Sequence, residues 1–311
     1  MCLFKGRIQN WDDWSKVYMD VELFRPLIEY IAKKHAIEYE EIIPQGFSTN
    51  AVFKVGKYII KLFAPPSSGA NTVSDYTAES SAIARALVEG VLVPKLLYRG
   101  LIESTYPFYY MVFQYIEGFE ARKILKNYTI DEKADFVKQI KTMLKAINQK
   151  PFETDFSQNI KTRYNMMQKW HRFNVIIQEQ VKTMIATLDL GEQVYVHGDI
   201  TGDNIIIDVY HQAYLIDFAD STIAPYYYEY PSIIFDLFNF DKTLIHLLIK
   251  NTDFNTFIEV LYKGTLLHEF GAHFVERILK IDGTYTPETL PDIRFIKTML
   301  KSLLHQNSST E

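Results

Sequence analysis

The chain of 311 residues carries a formal net charge of −5, and its 48% hydrophobic and 23% charged residues are ordinary for a globular protein and exclude wholesale disorder. This acidic balance disfavours nucleic-acid binding, because that affinity comes mainly from neutralising phosphates with Lys and Arg. A single cysteine, Cys2, excludes an intramolecular disulfide and a cysteine-rich metal site.

The same sequence gives expectations for size and location. The length leaves room for about two domains with a sizeable core. The first seven residues lack the apolar core of a signal peptide, and the longest apolar runs, such as residues 244–249, fall far short of the ~20 residues that span a bilayer. We therefore expect a soluble cytoplasmic protein without a membrane or nucleic-acid partner, as a monomer or weak dimer.

The first part of the chain has mainly the sequence pattern of β-strands. Apolar residues at helical spacing predict an amphipathic helix within residues 20–36, before the first strand. Strand patterns follow over 42–63, and Gly56-Lys57 predicts a two-residue hairpin turn there. The remaining predicted elements of this part are a helix at 75–89 and strands at 95–99 and 108–115.

Helical patterns dominate the second part of the chain. An apolar stripe predicts a helix over 131–149, and Val194 to Asp217 reads as strand, loop, strand, turn and strand, one small ribbon. The other helical segments are 157–187, 231–250, 253–280 and 288–304. The order predicts a bilobal α+β fold: a small mixed sheet with one helix in residues 1–116, and a larger, mainly helical part in 117–311.

The most informative motif is the His-Gly-Asp stretch at 197–204, followed by Leu-Ile-Asp-Phe at 215–218. We expect Asp199, Asn204 and Asp217 to lie close together at one end of the ribbon. One carboxylate can accept a proton from a hydroxyl, while an amide and a second carboxylate can hold Mg²⁺ against nucleotide phosphates. Asp-x-x-x-x-Asn, then Asp-Phe, is the spacing that kinases use. Taken singly, these residues could equally be an Asx cap, a turn residue and a strand-end cap.

This stretch resembles the core of the aminoglycoside phosphotransferase and choline kinase superfamily, whose fold is that of protein kinases. The family loop reads His-Gly-Asp-x-x-x-x-Asn, and residues 197–204 match it without a mismatch. The resemblance implies that Asp199 is the catalytic base and that Asn204 and Asp217 are Mg²⁺ ligands. Asp203, inside the loop, is a turn cap or a further metal contact.

The resemblance extends to the N-terminal part of the chain. Residues 46–53 resemble the family's nucleotide loop, in which Gly, Ser and Asn let backbone amides approach phosphates, and this implies contacts at Ser48 and Asn50. Residues 111–118 resemble the inter-lobe hinge that binds adenine, which implies contacts at Gln114 and Ile116; the alternative is an edge strand ending in a turn.

Lys61 lies on a strand where the family places the lysine that contacts the α- and β-phosphates. A lysine among apolar neighbours needs a partner if it points inward, and Glu79 on the following helix is the expected one. The alternatives are that Lys61 faces solvent, since a strand has two faces, or that Lys57 takes its place.

The acceptor is expected to be a small molecule. Only 14 residues separate Asp217 from Ser232, too few for the peptide-docking segment of protein kinases. The resemblance implies transfer of the γ-phosphate of ATP, or alternatively GTP, to a hydroxyl, with an aminoglycoside-like antibiotic favoured. Choline, homoserine or a sugar-amine are alternative acceptors, and a non-catalytic nucleotide-binding scaffold is the alternative function.

Three further features have competing interpretations. His268 and His273 suggest a zincin, but that motif needs its second histidine four residues after the first, so a pair of ordinary helix histidines is preferred. Tyrosines at 226–228 and 230 either line an acceptor pocket or pack the core. The acidic residues that could neutralise a cationic sugar, or be solvated or capping residues, are Asp220, Glu229, Asp236, Asp241, Glu259 and Glu269.

Overall fold

The computed structural model describes residues 3–39, 41–46, 49–152, 160 and 169–305. The chain forms two compact units. The first comprises Met1–Arg85 and Val93–Glu117, and the second comprises Ala86–Leu92 and Gly118–Glu311.

A five-stranded sheet is the centre of the first unit, in the order β1-β2-β3-β5-β4. Its strands are β1 Ile42–Pro44, β2 Ala51–Val55, β3 Tyr58–Leu62, β4 Leu96–Glu103 and β5 Pro107–Gln114. Every described pair in it is antiparallel, so the sheet that we predicted as mixed is an antiparallel one. The reason is the short connections: β2 to β3 and β4 to β5 are hairpins, and hairpins join antiparallel strands.

The predicted hairpin over 51–62 is confirmed. Ala51, Phe53 and Val55 alternate as the buried side of β2, as period-two side chains require. Val55 pairs with Tyr58, which leaves Gly56-Lys57 as a two-residue turn, and Gly56 has φ +59°.

The first unit contains the two helices predicted within 20–36 and at 75–89, and a further one before them. Its helices are α1 Trp11–Val17, α2 Val21–Lys34 and α3 Thr72–Val88, the last of which continues into the second unit. The apolar face of α2 packs on the sheet through Phe24, whose ring contacts Phe53 at 5.3 Å between centroids. Helix α1 was not predicted from the sequence. It carries the buried Trp14, and the Nε1 of Trp14 donates a hydrogen bond to the Thr49 carbonyl at 2.9 Å.

The second unit holds two small sheets rather than one ribbon. One joins β7 Val194–Val196 to β10 Thr222–Ala224, and the other has the order β6-β8-β9. The strands of the second sheet are β6 Gly118–Glu120, β8 Ile205–Asp208 and β9 Ala213–Leu215. The prediction that β7 belongs to one ribbon with β8 and β9 was therefore wrong, because β7 pairs with β10. The predicted β8–β9 hairpin is confirmed. A three-residue apolar run indicates a strand but does not specify its partner.

The second unit also contains helices. They are α4 Ala121–Ile124, α5 Ile130–Ile147, α6 Val175–Thr187, α7 Lys242–Ile249, α8 Phe254–Leu267, α9 Gly271–Asp282 and α10 Arg294–Leu304. The segment predicted as helical at 231–250 begins with a π-helical turn, Ser232–Leu237, and the one at 253–280 is broken between α8 and α9. Across the described ranges, no helix combines the length and hydropathy needed to cross a bilayer.

Candidate active site

The predicted catalytic loop, residues 197–204, connects β7 to β8 in the second unit. It turns sharply at Gly198, which has φ +83°. A Cβ on this residue would lie 2.5 Å from the Asp220 carbonyl oxygen, so both the conformation and the space require glycine.

His197 holds the two ends of the motif together, a role that we did not assign from the sequence. Its fully buried ring accepts a hydrogen bond at Nδ1 from the Asp199 backbone N–H at 3.2 Å, and its Nε2 donates to the Ile216 carbonyl at 3.1 Å. Burial lowers the pKa of His197 to about 4, so the ring is neutral and can accept and donate at once.

Asp199, Asn204 and Asp217 come together, as expected from the motif. Asn204 Nδ2 donates to the backbone carbonyl and to Oδ2 of Asp199, at 2.9 and 2.8 Å. The Asn204 carbonyl accepts from the Ile216 N–H at 3.0 Å, which brings Asn204 beside the residue that precedes Asp217. Asp217 has φ +59°, a conformation that is uncommon outside glycine.

Carboxylates crowd the loop. Burial raises the pKa of Asp199 to about 8. Repulsion from three further carboxylates acts in the same direction: Asp220, Asp217 and Asp236. The hydrogen bond from Asn204 opposes them. An excess of negative charge of this kind favours a bound cation.

Glu229 anchors the loop from outside the motif. Its fully buried carboxylate accepts hydrogen bonds from the backbone N–H of His197 at 2.6 Å and of Gly198 at 3.1 Å, and burial raises its pKa to about 7. From the sequence, Glu229 was a charge that could neutralise an acceptor or a solvated or capping residue, and neither interpretation includes this contact. A glutamate in an aromatic segment carries no sequence signal for such a contact.

Arg122 binds the part of the loop around Gly202 and Asp203. Its guanidinium binds Asp203 and Asp236, each at 2.6 Å, while its backbone N–H donates to the Gly202 carbonyl. Asp236, on the π-helical turn, also accepts from the Gly202 N–H at 3.0 Å. Asp203 is therefore an ion-pair partner of Arg122, a role that we did not consider from the sequence.

Lys61 and Glu79 form the predicted ion pair in the first unit. Lys61 Nζ lies 2.8 and 2.7 Å from the two carboxylate oxygens of Glu79, and both side chains are almost fully buried. Lys57, the rival candidate, is exposed at the hairpin turn.

The other predicted nucleotide contacts also lie in the first unit. Asn50 Oδ1 accepts from the Ala64 N–H at 3.1 Å, which ties the loop before β2 to the chain after β3. Gln114 is the exposed last residue of β5, and Ile116 follows it half-buried. Ser48 lies outside the described residues. Their contacts with a nucleotide stay predictions.

The acidic residues near the C-terminal helices mostly have structural partners. Asp241 caps α7 and binds Lys133 at 2.5 Å. Glu259 pairs with Lys297 and Lys263, and Glu269 with Lys169.

The tyrosines after β10 divide by burial. Tyr227 and Tyr228 are buried in the second unit, whereas Tyr226 is half exposed. Packing thus explains two of the three residues in this run.

Comparisons with solved structures show the same fold at low identity. The GDP complex of wild-type aminoglycoside 2'-phosphotransferase-IIIa has a TM-score of 0.61 at 16% identity, over 89% of this chain and 96% of that chain. The gentamicin complex of APH(2")-IIa has a TM-score of 0.57 at 14% identity, over 85% and 97%. A choline/ethanolamine kinase family protein from Mesorhizobium loti has a TM-score of 0.53 at 15% identity, over 90% and 96%.

The sequence itself settles the family. Residues 40–249, about two thirds of the chain, match the APH phosphotransferase enzyme family. This range includes the Lys61–Glu79 pair and the whole 197–217 site. The chain therefore belongs to the phosphotransferase enzyme family, and its fold is the one seen in solved aminoglycoside phosphotransferases and a choline/ethanolamine kinase family protein.

Proposed function

We propose that this protein transfers the γ-phosphoryl group of ATP, or of GTP, to a hydroxyl of a small molecule. The observation that carries the proposal is the hydrogen bond from Asn204 to the Asp199 carboxylate, in the loop that also neighbours Asp217. Together, Asp199, Asn204 and Asp217 provide a base, an amide oxygen and a second carboxylate, the groups that phosphoryl transfer requires.

In this proposal Asp199 is the base. Its carboxylate accepts the proton of the acceptor hydroxyl, and the hydroxyl oxygen forms a bond to the γ-phosphorus. The bond between that phosphorus and the β–γ bridging oxygen breaks, and the nucleoside diphosphate leaves. Asn204 holds the Asp199 carboxylate in place through its Nδ2.

Asn204 and Asp217 fit the requirements of Mg²⁺. Asn204 donates through its nitrogen, so its Oδ1 is the atom that can coordinate a cation. Within the described part of the chain, no three His, Cys, Asp or Glu side chains gather into a metal cluster. Mg²⁺ needs no such cage, because it is usually bound by one or two carboxylates together with substrate phosphates, whose charge it neutralises.

We assign nucleotide binding to the first unit and acceptor binding to the second. Lys61, fixed by Glu79, can contact the α- and β-phosphates, and Asn50, Gln114, Ile116 and Ser48 are the further proposed contacts. The nucleotide is ATP or GTP, and the GDP complex of a similar aminoglycoside phosphotransferase is the reason for testing both.

An aminoglycoside-like molecule is the favoured acceptor class. The carboxylates around Asp199 suit a polycationic acceptor, and similar structures include complexes with kanamycin and gentamicin. The segment after Asp217 is occupied by β10 and the tyrosine turn, which supports a small molecule over a peptide.

A turnover assay with and without acceptor tests this function. MgATP and MgGTP are offered with kanamycin, gentamicin, choline and an amino-alcohol, and diphosphate release is measured. Asp199→Ala should retain nucleotide affinity and lose transfer, whereas Asp217→Ala should lose Mg²⁺-nucleotide binding. Asp135→Ala, at an exposed position of α5, is the matched control. Acceptor-stimulated turnover that survives Asp199→Ala would contradict the mechanism. Its absence from the wild type with every acceptor would favour the non-catalytic alternative.

A further inference from the structure

His268 lies between two helices and is not part of a metal-binding helix. Helix α8 ends at Leu267 and α9 begins at Gly271, so the two histidines of the zincin-like stretch are not on one helix. His268 is fully buried, whereas His273 is exposed. The buried imidazole is outside the motif and has no role in the function proposed above.

The hydrogen bonds of His268 define its tautomer. The Phe270 backbone N–H donates to Nδ1 at 3.0 Å, so Nδ1 is the acceptor and the neutral ring carries its proton on Nε2. Nε2 lies 3.0 Å from the Gly198 carbonyl oxygen and 3.2 Å from the Ser232 hydroxyl. The ring of Tyr228 stacks on the imidazole at 4.4 Å, with 17° between the planes. His268 is thus oriented to donate to Gly198.

This contact holds the peptide that precedes the proposed base. The peptide between Gly198 and Asp199 is bound at both polar edges: its carbonyl by His268 and its N–H by Nδ1 of His197. The preceding peptide is held by Glu229. Gly198 has the widest backbone freedom of any residue type, so without these contacts the peptide could rotate. Rotation would change φ of Asp199 and redirect its carboxylate.

We propose that His268 is a positioning residue for Asp199, acting through the Gly198 carbonyl. The inference rests on the proposed function, since Asp199 is taken as its base. In this inference a buried imidazole, 70 residues from Gly198 in sequence, orients the proposed catalytic loop.

Two isosteric substitutions separate this role from simple packing. The amide nitrogen of glutamine reaches the position of Nε2 and can still donate to Gly198. Asparagine places its oxygen near Nδ1, where it can accept from Phe270, but it cannot reach Gly198. Both variants lose the aromatic ring that stacks on Tyr228.

We expect His268→Asn to lower kcat about ten- to a hundredfold, the range for a displaced catalytic group, with the nucleotide KM and Kd unchanged. His268→Gln should retain kcat within a few-fold of the wild type. Equal kcat losses in both variants, or a loss confined to the nucleotide KM, would show that the imidazole only fills space and would overturn the proposal.

The proposed function can fail separately. It fails if the wild type shows no acceptor-stimulated turnover with MgATP or MgGTP. Crystal structures of the two variants then decide the role of His268. A peptide at Gly198 that is rotated in His268→Asn and retained in His268→Gln supports the proposal. The same orientation in both variants overturns it.

Discussion

Replacing Glu229 with glutamine should remove a pH-dependent component of the folding stability. The carboxylate is fully buried and accepts from the N–H groups of His197 and Gly198, and the Asn148 side chain also bonds to it. Glutamine keeps one oxygen acceptor but turns an NH₂ group toward a backbone donor. We expect this lost hydrogen bond to cost about 1–3 kcal/mol of the free energy of unfolding, independently of pH.

The pH dependence follows from the direction of the pKa shift. Burial raises the pKa of Glu229 to about 7 in the folded protein, against an ordinary value of 4.5. This gap corresponds to about 3 kcal/mol. Between these values the folded state binds more protons than the unfolded state, so stability falls as pH rises. The contribution is fully present below about pH 4.5 and is lost as pH rises through about 7.

Urea denaturation at pH 5, 6, 7 and 8 measures this effect. His197 acts in the opposite direction, because its lowered pKa makes stability rise with pH up to about 6.5. That term is common to both proteins and cancels in the difference between wild type and Glu229→Gln. The wild type should lose about 2–3 kcal/mol relative to the variant between pH 5 and 8.

The control is Glu192→Gln, at an exposed position before β7, where the carboxyl is solvated in both states. Its difference from the wild type is the baseline for the comparison. If the difference for Glu229→Gln varies with pH no more than this baseline does, the carboxyl of Glu229 titrates alike in the folded and unfolded states. The effect of burial argued above would then be wrong.

Two further predictions use matched pairs of substitutions. Lys61→Met leaves Glu79 buried without its partner and should lower the free energy of unfolding by about 3–5 kcal/mol. The double variant Lys61→Met/Glu79→Leu should recover stability in thermal unfolding but not nucleotide affinity in a titration. Recovery of both would exclude Lys61 as a nucleotide contact. Gly198→Ala should destabilise by more than Gly191→Ala, because both have positive φ but only the former would place a Cβ against Asp220. Equal costs in urea denaturation would show that the loop absorbs the clash.

The sequence predicted those elements whose pattern is local. The alternation in β2 and the Gly56-Lys57 turn determine a hairpin within twelve residues, and the structure has it in that register. The pairing of Lys61 with Glu79 followed from the cost of burying one charge. Asp199 and Asn204 were found because their spacing within one loop implies their proximity.

Long-range packing was not predictable in the same way. β7 has only three apolar residues, which suit a partner in either small sheet, and it pairs with β10 rather than with the β8–β9 hairpin. Apolar residues also recur at helical spacing across the break between α8 and α9, so the pattern predicted one continuous helix there. The backbone is tightly packed at the break: a Cβ on Gly271 would lie 2.2 Å from the Thr265 carbonyl oxygen, an approach that composition does not reveal.

The same distinction applies to the site itself. The motif supplies the proposed base and the candidate metal ligands. The backbone that carries Asp199 is held by His197, Glu229 and His268, and the last two lie outside the motif. Glu229 reads as a surface charge and His268 as an incidental histidine, because neither has a local pattern that reveals burial. We therefore expect that this chain can keep every motif residue and still lose the proposed transfer when either contact is removed. In this chain the intact loop identifies which chemical groups are present, and we expect the buried residues around it to set the direction in which those groups point.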